Sequence, residues 1–252
     1  MEEEKEYIKY NKLCDLVVLG NIANAGTEYL IKEKRKELVK VFPSFYLDYA
    51  INNIADDKKY LDLLYHLMNI KLNDKKNIST GVTINLQDEI IRYVDKRNKD
   101  NTQIPNHEYI DRKREFAIFH INKGGILTAF HVMTESMNCG LRYDMSLIPI
   151  RQESIEICDY YKINAYRLLT NEIYIFCVEN YFNFKNSLFS LLDKKIGHKK
   201  EIVKVKEFVD KYMVCIGELN NYPDKIRTDI ETESFLEKSY HDELDKIIIS
   251  NT

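Results

Sequence analysis

The chain has 252 residues, 44% hydrophobic and 31% charged, with 37 Lys and Arg against 40 Asp and Glu. That content suffices for a buried core of domain size, while the balanced charge lacks the basic stripe of a dedicated nucleic-acid binder. No apolar run approaches the roughly 18 residues of a membrane span, and the polar start "MEEEKEYIKY" is no secretory signal, so a cytoplasmic setting is expected, with neither membrane nor nucleic acid as partner.

The first apolar run, "CDLVVLG" (14–20), is closed by glycine and suits a buried strand. "NIANAGTEYLIKEKRKELVKVF" then predicts one long helix, with Ala25, Tyr29, Ile31, Leu38, Val39 and Phe42 as its apolar stripe, stopped by Pro43. Two further helices are expected over 44–53 and 56–68. Residues 69–113 are polar and rich in turn formers around one predicted helix (86–94), and read as a surface insertion within a single domain spanning 1–252. Order returns with strand "EFAIFHI", the glycine pair and a helix over 125–137. Strand "GLRYDM" (140–145) leads to a helix over 152–161. Strand "EIYIFCV" (172–178) precedes a helix over 184–192. A charged strand "EIVKVKEF" and the strand "YMVCIGEL" (212–219) follow, and a short helix is expected in the tail. Apolar strands alternating with helices predict an α+β (α/β-like) fold, a mixed sheet with packed helices.

Cys14, Cys139, Cys158, Cys177 and Cys215 are odd in number and never form a C-x-x-C pair, so neither a disulfide framework nor a zinc site is indicated. Reduced, structural thiols are the expectation. The histidines show no metal-ligand spacing, no G-x-x-x-x-G-K-[ST] loop is present, and eight glycines leave little room for a second phosphate cradle.

Four stretches, in order, resemble the carboxy-terminal domain of the AIR-synthase superfamily. "DLVVLGNIANAGTEYLIKEKRKELVKVF" looks like its opening strand, glycine turn and long helix. "HINKGGILTAFHVMTESMNCGLRYD" looks like its His-x-x-x-Gly-Gly turn and helix. "IPIRQESIEICDYYKINAYRLL" looks like its "iPi" strand, helix and "NPYxLL" turn, and "YMVCIGEL" like its closing strand. The resemblance extends to a clostridial-type group of hydrogenase-maturation-factor-like proteins. It implies the AIR-synthase carboxy-terminal fold. It also implies that the amino-terminal ATP- and magnesium-binding half is missing, since about a dozen residues precede the first strand. No cofactor is then expected, with ATP and magnesium entering only through a partner domain. Between "LLT" and the strand at 173 the family usually carries a glycine; here Asn171 and Glu172 stand there.

The candidate ligand site is His120, Asn122, Lys123, Gly124, Gly125 and Arg151. Backbone N–H groups of adjacent glycines before a helix can approach an anion closely, and Lys123 adds a point charge. The same glycines also suit plain strand–helix packing, so both readings stay open. His120 is more often structural than catalytic, and Asn122 replaces the acidic residue the family resemblance would place there. Arg151 either reaches a phosphate or pairs with Glu153 or Glu156. The Asn21, Asn24, Gly26, Thr27 junction reads as capping. The expected function is a stand-alone domain binding a small phosphorylated or anionic ligand, or a protein partner or second copy, without catalysis of its own. The alternative is an ATP-dependent enzyme of purine-biosynthesis or hydrogenase-maturation type, completed by a partner chain or dimer.

Overall fold

A computed structural model describes residues 12–68, 82–83, 117–195, 199–229 and 232–249. Its eight strands, numbered in chain order, are β1 (Lys12–Leu19), β2 (Val82–Thr83), β3 (Ala117–Ile121), β4 (Gly140–Asp144), β5 (Ile173–Val178), β6 (Met213–Asn220), β7 (Lys225–Thr228) and β8 (Glu233–Phe235). They form one mixed sheet in the order β2-β3-β5-β1-β6-β4-β7-β8. β1 lies at its centre, antiparallel to both β5 and β6, while β4 and β7 run parallel. Leu16, Val17, Val18 and Leu19 are all 0% exposed although they point to alternate faces. Both faces of the centre are therefore covered, which is why this strand reads as an unbroken apolar run rather than an alternation.

The helices are α1 (Asn24–Glu33), α2 (Arg35–Leu38), α3 (Ser44–Leu67), α4 (Gly125–Met137), α5 (Gln152–Tyr161), α6 (Tyr181–Lys195), α7 (Lys199–Tyr212) and α8 (Glu243–Ile249). The fold is mixed α+β, as expected. α4 packs on β3 and β4, and α6 and α7 on β1. Among the described residues no helix is long and apolar enough to cross a membrane.

Four expectations need correction. The helix before Pro43 breaks at Lys34 into α1 and α2. The two helices after it are one continuous helix of 24 residues, α3. Its polar centre looks like a break, but those residues are used inward. Asn53 donates to Glu153 at 2.8 Å, and Asp57 pairs with Arg151. The charged "strand" at 201–208 is part of α7. Val203 is exposed whereas Val205, Phe208 and Val209 are buried and Tyr212 packs against the core, so the 3.6-residue spacing prevails over the local alternation. β7 and β8 were not expected, because they lie at a sheet margin and lack apolar alternation. The helix predicted over 86–94 and most of the insertion at 69–113 lie outside the described residues, apart from β2, which pairs with β3.

Candidate functional site

β1 and β3 are each antiparallel to β5, and β1 and β4 each antiparallel to β6. β1, β3 and β4 therefore run in one direction and release their chains at the same edge of the sheet. The β1 exit is tied to the β4 exit by a bridge between Ile22 and Ile150. All six candidate residues lie along this edge, but in three separate groups.

The glycine turn is the first. Gly124 has φ +79° and Gly125 φ +63°, both in the left-handed region that favours glycine. The two glycines have different reasons to be there. A Cβ on Gly125 would collide with the Tyr166 carbonyl oxygen and lie 2.8 Å from the Arg167 Cα, so this position permits close backbone packing. Gly124 instead directs its N–H at an anion: it donates to the Asp242 carboxylate at 2.6 Å. Asp242 is 3% exposed and also accepts the Leu244 N–H at 2.9 Å, capping α8. Burial pushes its carboxyl pKa up, although the Gly124 and Leu244 N–H groups pull the other way. Lys123 pairs with Asp245 at 3.0 Å. The Asn122 carbonyl accepts the Gly125 N–H at 3.0 Å, closing the turn.

Asp242 and Asp245 belong to the tail segment 236–249, which crosses the start of α4. Arg167, 5% exposed, donates to the Ser239 carbonyl at 2.8 Å and the Glu237 carbonyl at 3.1 Å. Thr128 donates to the Ser239 carbonyl at 3.4 Å. His131 Nε2 lies 2.9 Å from the Glu237 carbonyl oxygen, and since a carbonyl only accepts, Nε2 carries the proton.

His120 is in the second group. Its Nε2 accepts the Glu172 N–H at 3.3 Å, which places the ring proton on Nδ1, and its ring centroid is 4.9 Å from that of Tyr174. Burial lowers the His120 pKa, against the opposing pull of the Glu172 carboxylate. Glu172 itself has φ +59°, a conformation costly for any residue with a Cβ. It is held there by Tyr65, whose hydroxyl donates to its carbonyl at 2.9 Å, and by Lys58 at 3.1 Å from its carboxylate. The departure from glycine noted in the sequence is thus a backbone that still adopts a glycine-like conformation.

Arg151 centres the third group. Its ion-pair partner is Asp57 rather than the expected Glu153 or Glu156. Nε and a terminal nitrogen meet the two carboxylate oxygens at 2.9 and 2.6 Å, a bidentate pair. Asn21 adds a hydrogen bond to Asp57 at 2.9 Å, and the guanidinium lies 5.4 Å from the Tyr212 ring centroid. Glu153 and Glu156 accept instead from Asn53 and Tyr46. The α1 junction is not capped as read: its N-cap residue is Ala23, which makes no side-chain cap hydrogen bond, while Asn24 Oδ1 accepts the Ala25 and Asn171 N–H groups at 2.7 and 2.9 Å.

All five cysteines are free, and burial raises the thiols of Cys139 and Cys158 to about 11 and about 12. Raised pKa values make these two thiols poor nucleophiles at neutral pH. Among the described residues no group of three His, Cys, Asp or Glu is placed to hold a metal ion. Asp242, Asp57 and Arg167 are the site residues that sequence reasoning missed. The one legible signal was Asp242, an N-cap residue type two positions before Leu244 and five before Ile247.

No protein-family profile matches the chain, and no curated protein matches it in sequence. Solved structures do. Escherichia coli HypE, a hydrogenase maturation protein, is 14% identical with a TM-score of 0.49 over 93% of this chain and 52% of that one. Thiamine monophosphate kinase (ThiL) from Aquifex aeolicus is 9% identical with a TM-score of 0.37 over 89% of this chain and 52% of that one. A HypE–HypF complex also matches, at 17% identity and a TM-score of 0.36, over 49% of this chain and 36% of that one. The chain spans about half the length of the HypE and ThiL chains.

Proposed function

We propose that this chain is an AIR-synthase-related binding domain without catalysis of its own, and that its glycine turn takes the oxyanion of a small phosphorylated or carboxylate ligand. One observation carries the reading. The Gly124 N–H, at the start of a 13-residue helix, already donates to a buried carboxylate, that of Asp242. The chemistry that receives Asp242 would equally receive a phosphate oxygen: an N–H donor, the positive end of a helix dipole and the Lys123 ammonium beside it. His120 and Arg151 stand in groups of their own, each already serving a neighbour, the Glu172 backbone and the Asp57 carboxylate respectively.

The test is thermal unfolding of the purified chain with ATP and magnesium, AMP, ribose 5-phosphate, sulfate and phosphate. A ligand specific to the native state stabilises by roughly 2.7 kcal/mol at a hundred times its dissociation constant. The expected result is a shift with phosphorylated compounds that weakens in Lys123→Ala. Turnover of ATP by the purified chain would overturn the reading in favour of an enzyme. Lys123→Ala is the right probe because a side chain at Gly125 would strike the 166–167 backbone whatever the ligand does.

A further inference from the structure

The tail segment 236–249 is held by an unusual kind of seat. Its contacts to the body are mostly single polar bonds: Asp242 to the Gly124 N–H, Asp245 to Lys123, the Ser239 carbonyl to Thr128 and Arg167, and the Glu237 carbonyl to Arg167 and His131. Its apolar anchors are Leu236, Leu244 and Ile247, while Ile248 and Ile249 remain exposed. Such bonds depend on register, so they form and break together. By contrast β1 is clamped by a ladder on each side and buried on both faces. On the reading of the turn given above, the segment also fills positions that an anion ligand would take. Its carboxylate sits on the Gly124 N–H, and its backbone carbonyls serve the buried guanidinium of Arg167, whose own backbone packs against Gly125.

We propose that residues 236–249 form a cis-acting strap, latched by Asp242, that detaches as a unit, and that an oxyanion ligand of the glycine turn competes with the Asp242 carboxylate for the same donors. The competition rests on the reading of the turn given above; the detachment does not. With the strap away, the Gly124 N–H, Lys123 and Arg167 lose the oxygens that now satisfy them and become donors open to water or to an oxyanion that can replace those oxygens. The strap thereby sets the turn's affinity, since a ligand must displace it.

Hydrogen exchange followed by mass spectrometry on the full chain tests both halves. In the wild type, amides of the strap are expected to exchange at least roughly tenfold faster than those of β1 and β5, the mark of a sub-global opening. Asp242→Ala is expected to add a further acceleration of roughly tenfold, confined to the strap and residues 122–128. Equal protection of strap and β1 in the wild type would overturn the detachable strap, and so would a variant that loosens β1 and β5 along with it. If the variant does not fold, the wild-type comparison alone decides. Inorganic phosphate is then added to both proteins. Faster strap exchange in the wild type, with slower exchange at 122–128 in the variant, supports competition. A strap that opens while phosphate leaves 122–128 unchanged overturns the competition and the ligand reading together, and leaves the strap standing.

Discussion

Gly124 and Gly125 share a left-handed backbone but differ in what a side chain would meet, and this makes them separable by mutation. At Gly125 the neighbour is backbone, so Gly125→Ala should cost about 3 kcal/mol or more in urea unfolding, from overpacking and left-handed strain together. At Gly124 a Cβ would meet the Thr128 hydroxyl, which can rotate, and lie 2.9 Å from the Thr128 Cβ, which cannot but is no backbone atom, so Gly124→Ala should cost about 2 kcal/mol. Glu172 offers the reverse experiment. Its φ of +59° predicts that Glu172→Gly is stabilising by about 0.5–1 kcal/mol even though the exposed Lys58 pair is lost. His120 sets a pH dependence. Its folded pKa lies below the ordinary 6.5, so the unfolded chain takes up the proton first, and the stability contributed by the neutral ring is lost as pH falls from 6.5 through the folded value. Glu172 and Tyr174 face the ring. Melting temperatures between pH 7 and 5 should therefore fall less steeply in His120→Gln than in the wild type. The glycine pair was legible because it separates an apolar strand from an apolar helix. Its anion was not, because Asp242 lies 118 residues away and no local pattern joins them.

At the scale of elements, α3 braces the edge where β1, β3 and β4 end. From one helix, Asp57 reaches Arg151 beyond β4, Asn53 reaches Glu153 on α5, and Lys58 and Tyr65 hold Glu172 before β5. Removing one half of the Arg151–Asp57 pair leaves a largely buried charge with Asn21 as its remaining hydrogen-bond partner. Arg151→Ala should thus cost about 3 kcal/mol in unfolding free energy. A loss below about 1 kcal/mol would show that the pair contributes little. The polar centre of α3 explains why the sequence suggested a break there: helix signals weigh Asn and Asp as interrupters, and only the tertiary partners reveal that they face inward. α5 was legible to the residue, with Arg151 before it and Lys162 in a left-handed closing position after it. In α7 the short "KVK" alternation competed with the longer helical spacing, and burial of Val205, Phe208 and Val209 settles which one folds.

The described residues of the whole molecule build on a sheet whose covered centre, β1, runs in the same direction as β3 and β4. The fold class was legible because β1, β3 and β5 are apolar runs separated by helical patterns. The margins, β2, β7 and β8, were not, since strands of two, four and three residues are too short to carry such a signal. At this scale the central claim is that the glycine turn recognises an oxyanion, at present the chain's own. The most direct measurement is the amide NMR spectrum of the full chain during titration with inorganic phosphate. The Gly124 amide and the amides of residues 237–245 should shift together with a single dissociation constant, as phosphate takes the place of Asp242. A titration that leaves Gly124 unmoved, whether or not resonances elsewhere respond, would contradict the claim.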